Sequence, residues 1–290
     1  MRATVRWLVA AAVALTAVLA PYRVARAHHV PGHGASEGVR NLNSLGGGSG
    51  RATSRLMLLQ EYSRNSTSLN PATTYNTSLL GEYAPHPWIS LGAQAPLLVV
   101  DEDAAPRKVG YGDTRAFVRL TPHADKLIHR VITTGINVSI PTRSLRFEAD
   151  PGRVWTVSPM AMFTRTHLRT YWQVMLLGTA EHRPAGTAFD LTASGQIGYR
   201  AFSKLGLSIG ALADVRAANL CAEVGGGSSY CSGNRATETN RQVGSVRIAH
   251  LTGVSYAFAS WGLLAVNLQL PLTPKRDFNV AGSLSVQFQF

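Results

Sequence analysis

Charged residues are scarce in this chain, and long apolar runs are scarcer. Only 15% of the 290 residues are Asp, Glu, Lys or Arg, against the ~25% usual in a soluble domain. Such low charge points toward a membrane protein. Beyond the first twenty residues, however, no uninterrupted apolar stretch approaches the ~18–20 residues that a spanning helix needs. Inside lipid every backbone polar group has to be satisfied internally, which leaves helices and closed barrels as the only spanning structures. A membrane span here has to be a barrel. Cysteine is nearly absent, with Cys221 and Cys231 the only two, too few for a structural zinc site. Acids are also few: 16 against 28 Lys and Arg, a formal charge of +12. The basic residues form no dense run, so nucleic acid is not an expected partner.

What the chain does have begins with an export signal. Arg2 and Arg6 precede the apolar stretch Trp7 to Ala20, and Ala25-Arg26-Ala27 supplies a small-x-small cleavage site. Residues 1–27 are therefore expected to be removed. Four arginines (Arg2, Arg6, Arg23, Arg26) and no acid leave with them, lowering the charge from +12 to +8. The remaining charge would meet anionic lipid headgroups. In an exported chain, Cys221 and Cys231 around the Gly225 to Ser229 stretch read as a disulfide. Residues 28–50 form a His/Gly-rich lead without the apolar content to fold. Residues 51–290 are expected to make one all-β domain.

The last strand is the clearest. Phe278, Val280, Gly282, Leu284, Val286, Phe288 and Phe290 alternate with Asn279, Ala281, Ser283, Ser285, Gln287 and Gln289. This period of two places one set on each face of a strand. Similar alternation covers Leu264–Leu270, Leu205–Asp214, Phe189–Arg200, Thr114–Leu120 and Ile132–Ile140. Weaker segments lie near 54–62, 73–83, 88–98, 153–165, 169–180 and 243–258. About twelve strands (10–14) result, and the expected fold is a transmembrane antiparallel up-and-down β-barrel. Link lengths agree. Short links near Pro85, Thr121–Lys126, Thr166–Leu168, Phe202–Lys204 and Phe258–Trp261 alternate with longer ones at Asp101–Gly112, Thr142–Gly152 and Ala218–Gln242.

Charges facing lipid at mid-depth cost ~2–4 kcal/mol, so Arg115, Arg119, Asp190, Arg200, Asp214 and Arg247 are expected to point into the lumen. There they form either a charge ladder favouring anions or paired side chains that fill a small barrel. Glu61 and Glu82 are candidates for the same network. Trp88, Trp155, Tyr171, Trp172, Tyr199, Tyr256 and Trp261 sit near strand ends, as interfacial girdles require. His28, His29 and His33 would open the exported chain and are metal-ligand candidates, imidazole being a common ligand for Cu²⁺, Ni²⁺ and Zn²⁺. Catalytic signatures are missing: there is no Gly-x-Ser-x-Gly, no Gly-x-x-x-x-Gly-Lys and no His-Glu-x-x-His. No enzyme activity and no cofactor are expected.

Two resemblances add to this. A terminal Phe290 with Phe288, Val286 and Leu284 at the alternate positions before it resembles the carboxy-terminal assembly signal of bacterial outer-membrane proteins. That likeness implies recognition by a barrel-assembly machinery, and lipid and lipopolysaccharide as surroundings. Gly110-Tyr111-Gly112-Asp113, followed by the strand Thr114 to Leu120, resembles the Gly-x-Gly-Asp strand opening of the family named for the meta-pathway of phenol degradation. It would cover residues 50–290 and implies a barrel in the outer membrane of a Gram-negative-type bacterium. The expected function is passive passage of small solutes, aromatic or anionic ones included. The alternative is a structural or metal-handling surface barrel without transport.

Overall fold

The computed structural model describes residues 52–65, 72–102, 105–125, 130–142, 144, 154–183, 186–221, 243–273 and 279–290. The signal, the His/Gly lead with His28, His29 and His33, and Cys231 lie outside the described residues, as does the side chain of Cys221. Among the described residues thirteen strands follow one another. They are β1 (Arg55–Asn65), β2 (Ala72–His86), β3 (Ile89–Glu102), β4 (Ala105–Tyr111), β5 (Thr114–Asp125), β6 (Arg130–Ile140) and β7 (Trp155–His167), then β8 (Thr170–Arg183), β9 (Gly186–Arg200), β10 (Leu205–Cys221), β11 (Val246–Ala259), β12 (Gly262–Pro271) and β13 (Val280–Gln289).

Strands pair antiparallel with their sequence neighbours except that β4 and β5 both pair with β3, and β13 pairs with β1 from Arg55↔Gln289 to Arg64↔Val280, closing the sheet. Thirteen segments make a barrel of twelve staves because β4 and β5 are two halves of one. The lower half of β3, Ile89–Gln94, pairs with β5, whereas Leu97 to Glu102 pair with β4. The break falls at Gly112 and Asp113. Gly112 is buried against β3, its N–H donating to the Pro96 carbonyl at 3.0 Å, and a Cβ there would sit 3.0 Å from both Leu98 Cδ1 and Pro96 Cγ. A side chain would not fit without displacing both neighbours. The fold is thus an all-β, closed twelve-stave antiparallel barrel. Staves ~4.8 Å apart and tilted ~40° enclose a cylinder ~24 Å across between opposite backbones.

Three expected boundaries move. The stretch Asp101 to Gly112 is mostly the β3–β4 hairpin rather than an open loop, and β10 continues past Ala218 to Cys221. The last strand starts at Val280; Phe278 lies outside the described residues. In each case ladder hydrogen bonds to a neighbouring strand extend or limit the element, which local composition does not reveal.

The start of β1 and the end of β13 lie at one end of the barrel, since Arg55 opposes Gln289. That end also carries the tight links, such as Leu168-Arg169 and Ser260-Trp261; it is called the turn end below. The outward wall is apolar: Leu79, Leu91, Ile136, Val174, Leu176, Leu191, Ile209, Val254, Val266 and Leu284 are all exposed. Around the turn end runs a belt of exposed Tyr83, Trp88, Trp172, Tyr199, Tyr256 and Trp261. Among the described residues, outward positions in the middle of the strands carry no Asp, Glu, Lys or Arg; the outward charges Arg64, Asp101, Arg107, Arg130 and Arg165 stand near strand ends. An apolar surface this continuous would aggregate in water; in a bilayer it is the lipid face. No helix among the described residues is long and apolar enough to cross a membrane. The chain is a transmembrane barrel.

Candidate functional site

Strand alternation turns the opposite set of side chains inward. β7 is the plainest case: Trp155, Val157, Pro159, Ala161 and Phe163 are exposed, while Thr156, Ser158, Met160, Met162 and Thr164 are buried. Much of the inward wall is hydroxyl or amide, including Asn76, Ser78, Ser90, Gln94, Thr133, Thr192, Ser194, Ser283 and Ser285. These groups are buried, and several bond to one another, as Ser90 does to Glu82 and Asn76 to Glu61.

Toward the turn end, five staves contribute to one buried polar cluster. Glu82 on β2 accepts from Arg55 Nε on β1 at 2.6 Å and from Arg119 Nη1 on β5 at 3.2 Å. Ser90 Oγ on β3 donates to the same carboxylate at 2.5 Å, and Arg55 Nη1 reaches Gln287 Oε1 on β13 at 3.4 Å. The Glu82 side chain is 0% exposed, and those of Arg55 and Arg119 are 3% and 6% exposed. Two guanidinium groups share the Glu82 carboxylate. The Arg119 guanidinium also lies 4.7 Å over the Phe117 ring. Phe117 needs space that Gly92 provides: a Cβ at Gly92 would fall 2.2 Å from Phe117 Cζ.

Toward the opposite end, Arg216 Nε on β10 pairs with Asp190 Oδ1 on β9 at 2.8 Å, and Thr192 Oγ1 donates to Asp214 Oδ1 at 3.0 Å. Glu61 accepts from the Asn76 amide. Between the two ends, two apolar patches interrupt the polar wall. One is Met57, Leu80 and Phe117; the other is Met160, Met162, Met175 and Leu177. The Gln173 amide donates to Met162 Sδ at 2.8 Å and accepts from Gln196.

The six charged residues singled out from the sequence are thus distributed as follows. Arg119 belongs to the buried cluster, and Asp190 and Asp214 to the pairs near the other end. Arg115 and Arg247 are half-buried on inward positions of β5 and β11. Arg200 is exposed at the turn-end rim, where β9 stops, so it does not join the others. Arg55 and Arg216 were missed: Arg55 opens a weakly alternating strand, and Arg216 lies beyond the alternating stretch Leu205–Asp214. Tyr171 is a further correction. It lies on the same face as Gln173, and its ring occupies the space above Gly198, where a Cβ would be 1.8 Å from Tyr171 Cε1. It is an inward residue, not a girdle residue.

Leu284, Val286, Phe288 and Phe290, the expected assembly signal, occupy alternate outward positions, Phe288 stacking on Trp261 at 5.9 Å. Near them, Ser54 before β1, Phe290 after β13 and two turns (Pro85, His86, Trp261) line an open cavity of about 470 Å³. Among the described residues no three of His, Cys, Asp or Glu converge as a metal site.

The fold is similar to that of solved barrels. The crystal structure of an outer membrane channel from Pseudomonas putida F1 matches with a TM-score of 0.62 at 14% identity, over 82% of this chain and 96% of that one. At that identity the likeness is one of fold. Looser matches are the KdgM porin (TM-score 0.47, 13% identity, 81% of this chain and 99% of that one) and the NanC porin (0.47, 9%, 81% and 98%). No family model matches the sequence, and no curated protein matches it.

Proposed function

We propose that the protein is an outer-membrane channel for passive movement of small solutes, anionic and aromatic ones included, and not an enzyme. The observation that carries this reading is the two-sided wall. Its outside is a lipid belt, and its inside is lined by hydroxyls, amides and the buried Arg55–Glu82–Arg119 cluster. A barrel ~24 Å across between backbones leaves a passage wherever its inward residues are as short as Ser or Thr. The arginines of that cluster favour anions, and the apolar patches offer contact to an aromatic ring. The fold likeness to a channel of P. putida and the Gly110–Asp113 strand opening of the phenol meta-pathway family agree with this reading. Export on residues 1–27, membrane insertion through the β13 signal by a barrel-assembly machinery, and contact with lipopolysaccharide complete it. The half-buried Arg115, Asp214 and Arg247 belong to the same charged lining.

A second reading is favoured by one observation: the buried ion pairs reach across β1, β2 and β5 at the turn end. In this reading the pairs close the floor, and the barrel anchors the segment ending in Cys221 and Cys231 without transport. Single-channel recording of refolded mature protein separates the two. Discrete anion-selective conductance supports the channel; neither conductance nor solute flux into loaded vesicles overturns it.

A further inference from the structure

The chain contains five methionines, Met1, Met57, Met160, Met162 and Met175. Three of them stand together on one patch of the inward wall. Met162 and Met175 are direct cross-strand partners on β7 and β8, and Met160, two residues before Met162, faces the same way opposite Leu177. All three are buried, at 6%, 3% and 2% exposure, in one contact cluster. The inward wall of a membrane barrel is ordinarily polar, so three long thioethers there are out of place as filler. We propose that Met160, Met162 and Met175 form a thioether site for a soft monovalent cation, Cu(I) or Ag(I).

The chemistry and the geometry agree. Thioether sulfur is a soft donor that selects Cu(I) over the harder divalent ions, and being uncharged it needs no deprotonation to bind. Directly opposed cross-strand Cβ atoms are ~4.5–5.5 Å apart and same-face neighbours along a strand ~6.6 Å. Three rotatable bonds per side chain bring sulfurs from such positions to the ~4 Å separations that ~2.3 Å metal–sulfur bonds require. An independent observation shows a sulfur lone pair already engaged by an electropositive group: the Gln173 amide N–H is directed at Met162 Sδ at 2.8 Å. A cation would take over that place while Gln173 retains Gln196 as its partner. No cluster of His, Cys, Asp or Glu among the described residues competes for the ion. The site uses none of His28, His29 and His33, and it does not require the barrel to conduct.

The test uses the mature protein refolded in detergent with ¹³C-methyl-labelled methionine and titrated with silver nitrate in chloride-free buffer. Ag(I) serves as the redox-inert probe, and the methyl signals are blind to histidine binding. Expected are coupled shifts of the Met160, Met162 and Met175 methyls that saturate at one ion per barrel, with Met57 unmoved. Met162→Leu conserves volume and is expected to weaken binding by more than the ~10–100-fold typical of losing a supporting residue. The triple Met160→Leu, Met162→Leu, Met175→Leu variant is expected to bind at the level of the histidine lead alone. Its barrel is checked by heat-modifiable gel mobility; if it fails to fold, Met162→Leu alone decides. Shifts absent, shifts equal at all four methionines, or a Met162→Leu titration matching wild type would each overturn the site.

Discussion

Replacing Glu82 by Gln tests whether the buried cluster holds the barrel wall together. The carboxylate is fully enclosed and is the shared acceptor of Arg55 at 2.6 Å, Arg119 at 3.2 Å and Ser90 at 2.5 Å. Glutamine keeps the shape and one acceptor oxygen but removes the charge. Two guanidinium groups, 3% and 6% exposed, then face each other without the anion between them. Breaking a buried pair by removing one partner costs about 3–5 kcal/mol, most of it the stranded charge. The loss is expected as a lower urea midpoint of the refolded protein, followed by Trp fluorescence and by heat-modifiable mobility. The compensating double variant Glu82→Gln with Arg119→Met removes one stranded cation and is expected to recover part of the loss, a coupling visible in a double-mutant cycle. In bilayers the single variant adds one net positive charge to the lining, so its reversal potential in a salt gradient is expected to move toward anion selectivity. A midpoint that corresponds to less than about 0.5 kcal/mol of destabilisation would refute the reasoning, since that is the range of an ordinary surface change.

Three further outcomes follow from other parts of the wall. Gly92→Ala is expected to cost about 1–3 kcal/mol in the same urea titration, because its Cβ meets Phe117 Cζ at 2.2 Å and the Gly81 carbonyl at 2.6 Å. Leu168→Gly is expected to raise the midpoint by up to about 1 kcal/mol: Leu168 has φ of 50° in an exposed turn, where the relief of left-handed strain outweighs the added flexibility of glycine. Asp190→Asn loses the 2.8 Å pair to Arg216, whose side chains are 16% and 8% exposed. Its cost is expected at about 1–3 kcal/mol, below that of Glu82→Gln measured side by side.

Much of the barrel was legible because strands repeat every two residues and a lipid-facing set has to be apolar. Asp190, Asp214, Arg115 and Arg119 were assigned to the side opposite lipid on that ground, and the structure places them on the inward positions of their strands. Arg55 escaped notice because it opens a weakly alternating strand, and its partner Glu82 is 27 residues away. The single stave built from β4 and β5 was illegible for a similar reason. Gly112 and Asp113 announce a strand start, but the exchange of partners happens on β3. The methionines show the limit of periodicity itself. In β7 both sets are partly apolar, Val157, Ala161 and Phe163 against Met160 and Met162, so alternation separates two faces without saying which one lines the interior. Tyr171 was misassigned through its residue type, although its spacing from Gln173 marks it as inward.

The divided stave at Gly112 has a mechanical consequence. Because β3 changes partner there, β4 is a flap held to the cylinder by its ladder with the upper half of β3, which itself stays paired with β2 up to Glu102↔Ala72. A cross-hairpin ion pair, Asp101 with Arg107 at 2.7 Å, has side chains 40% exposed and contributes little rigidity. Insertions between Glu102 and Ala105 would therefore load the flap and not the hoop, making that tip a natural place to graft a foreign peptide while the staves below keep their pairing.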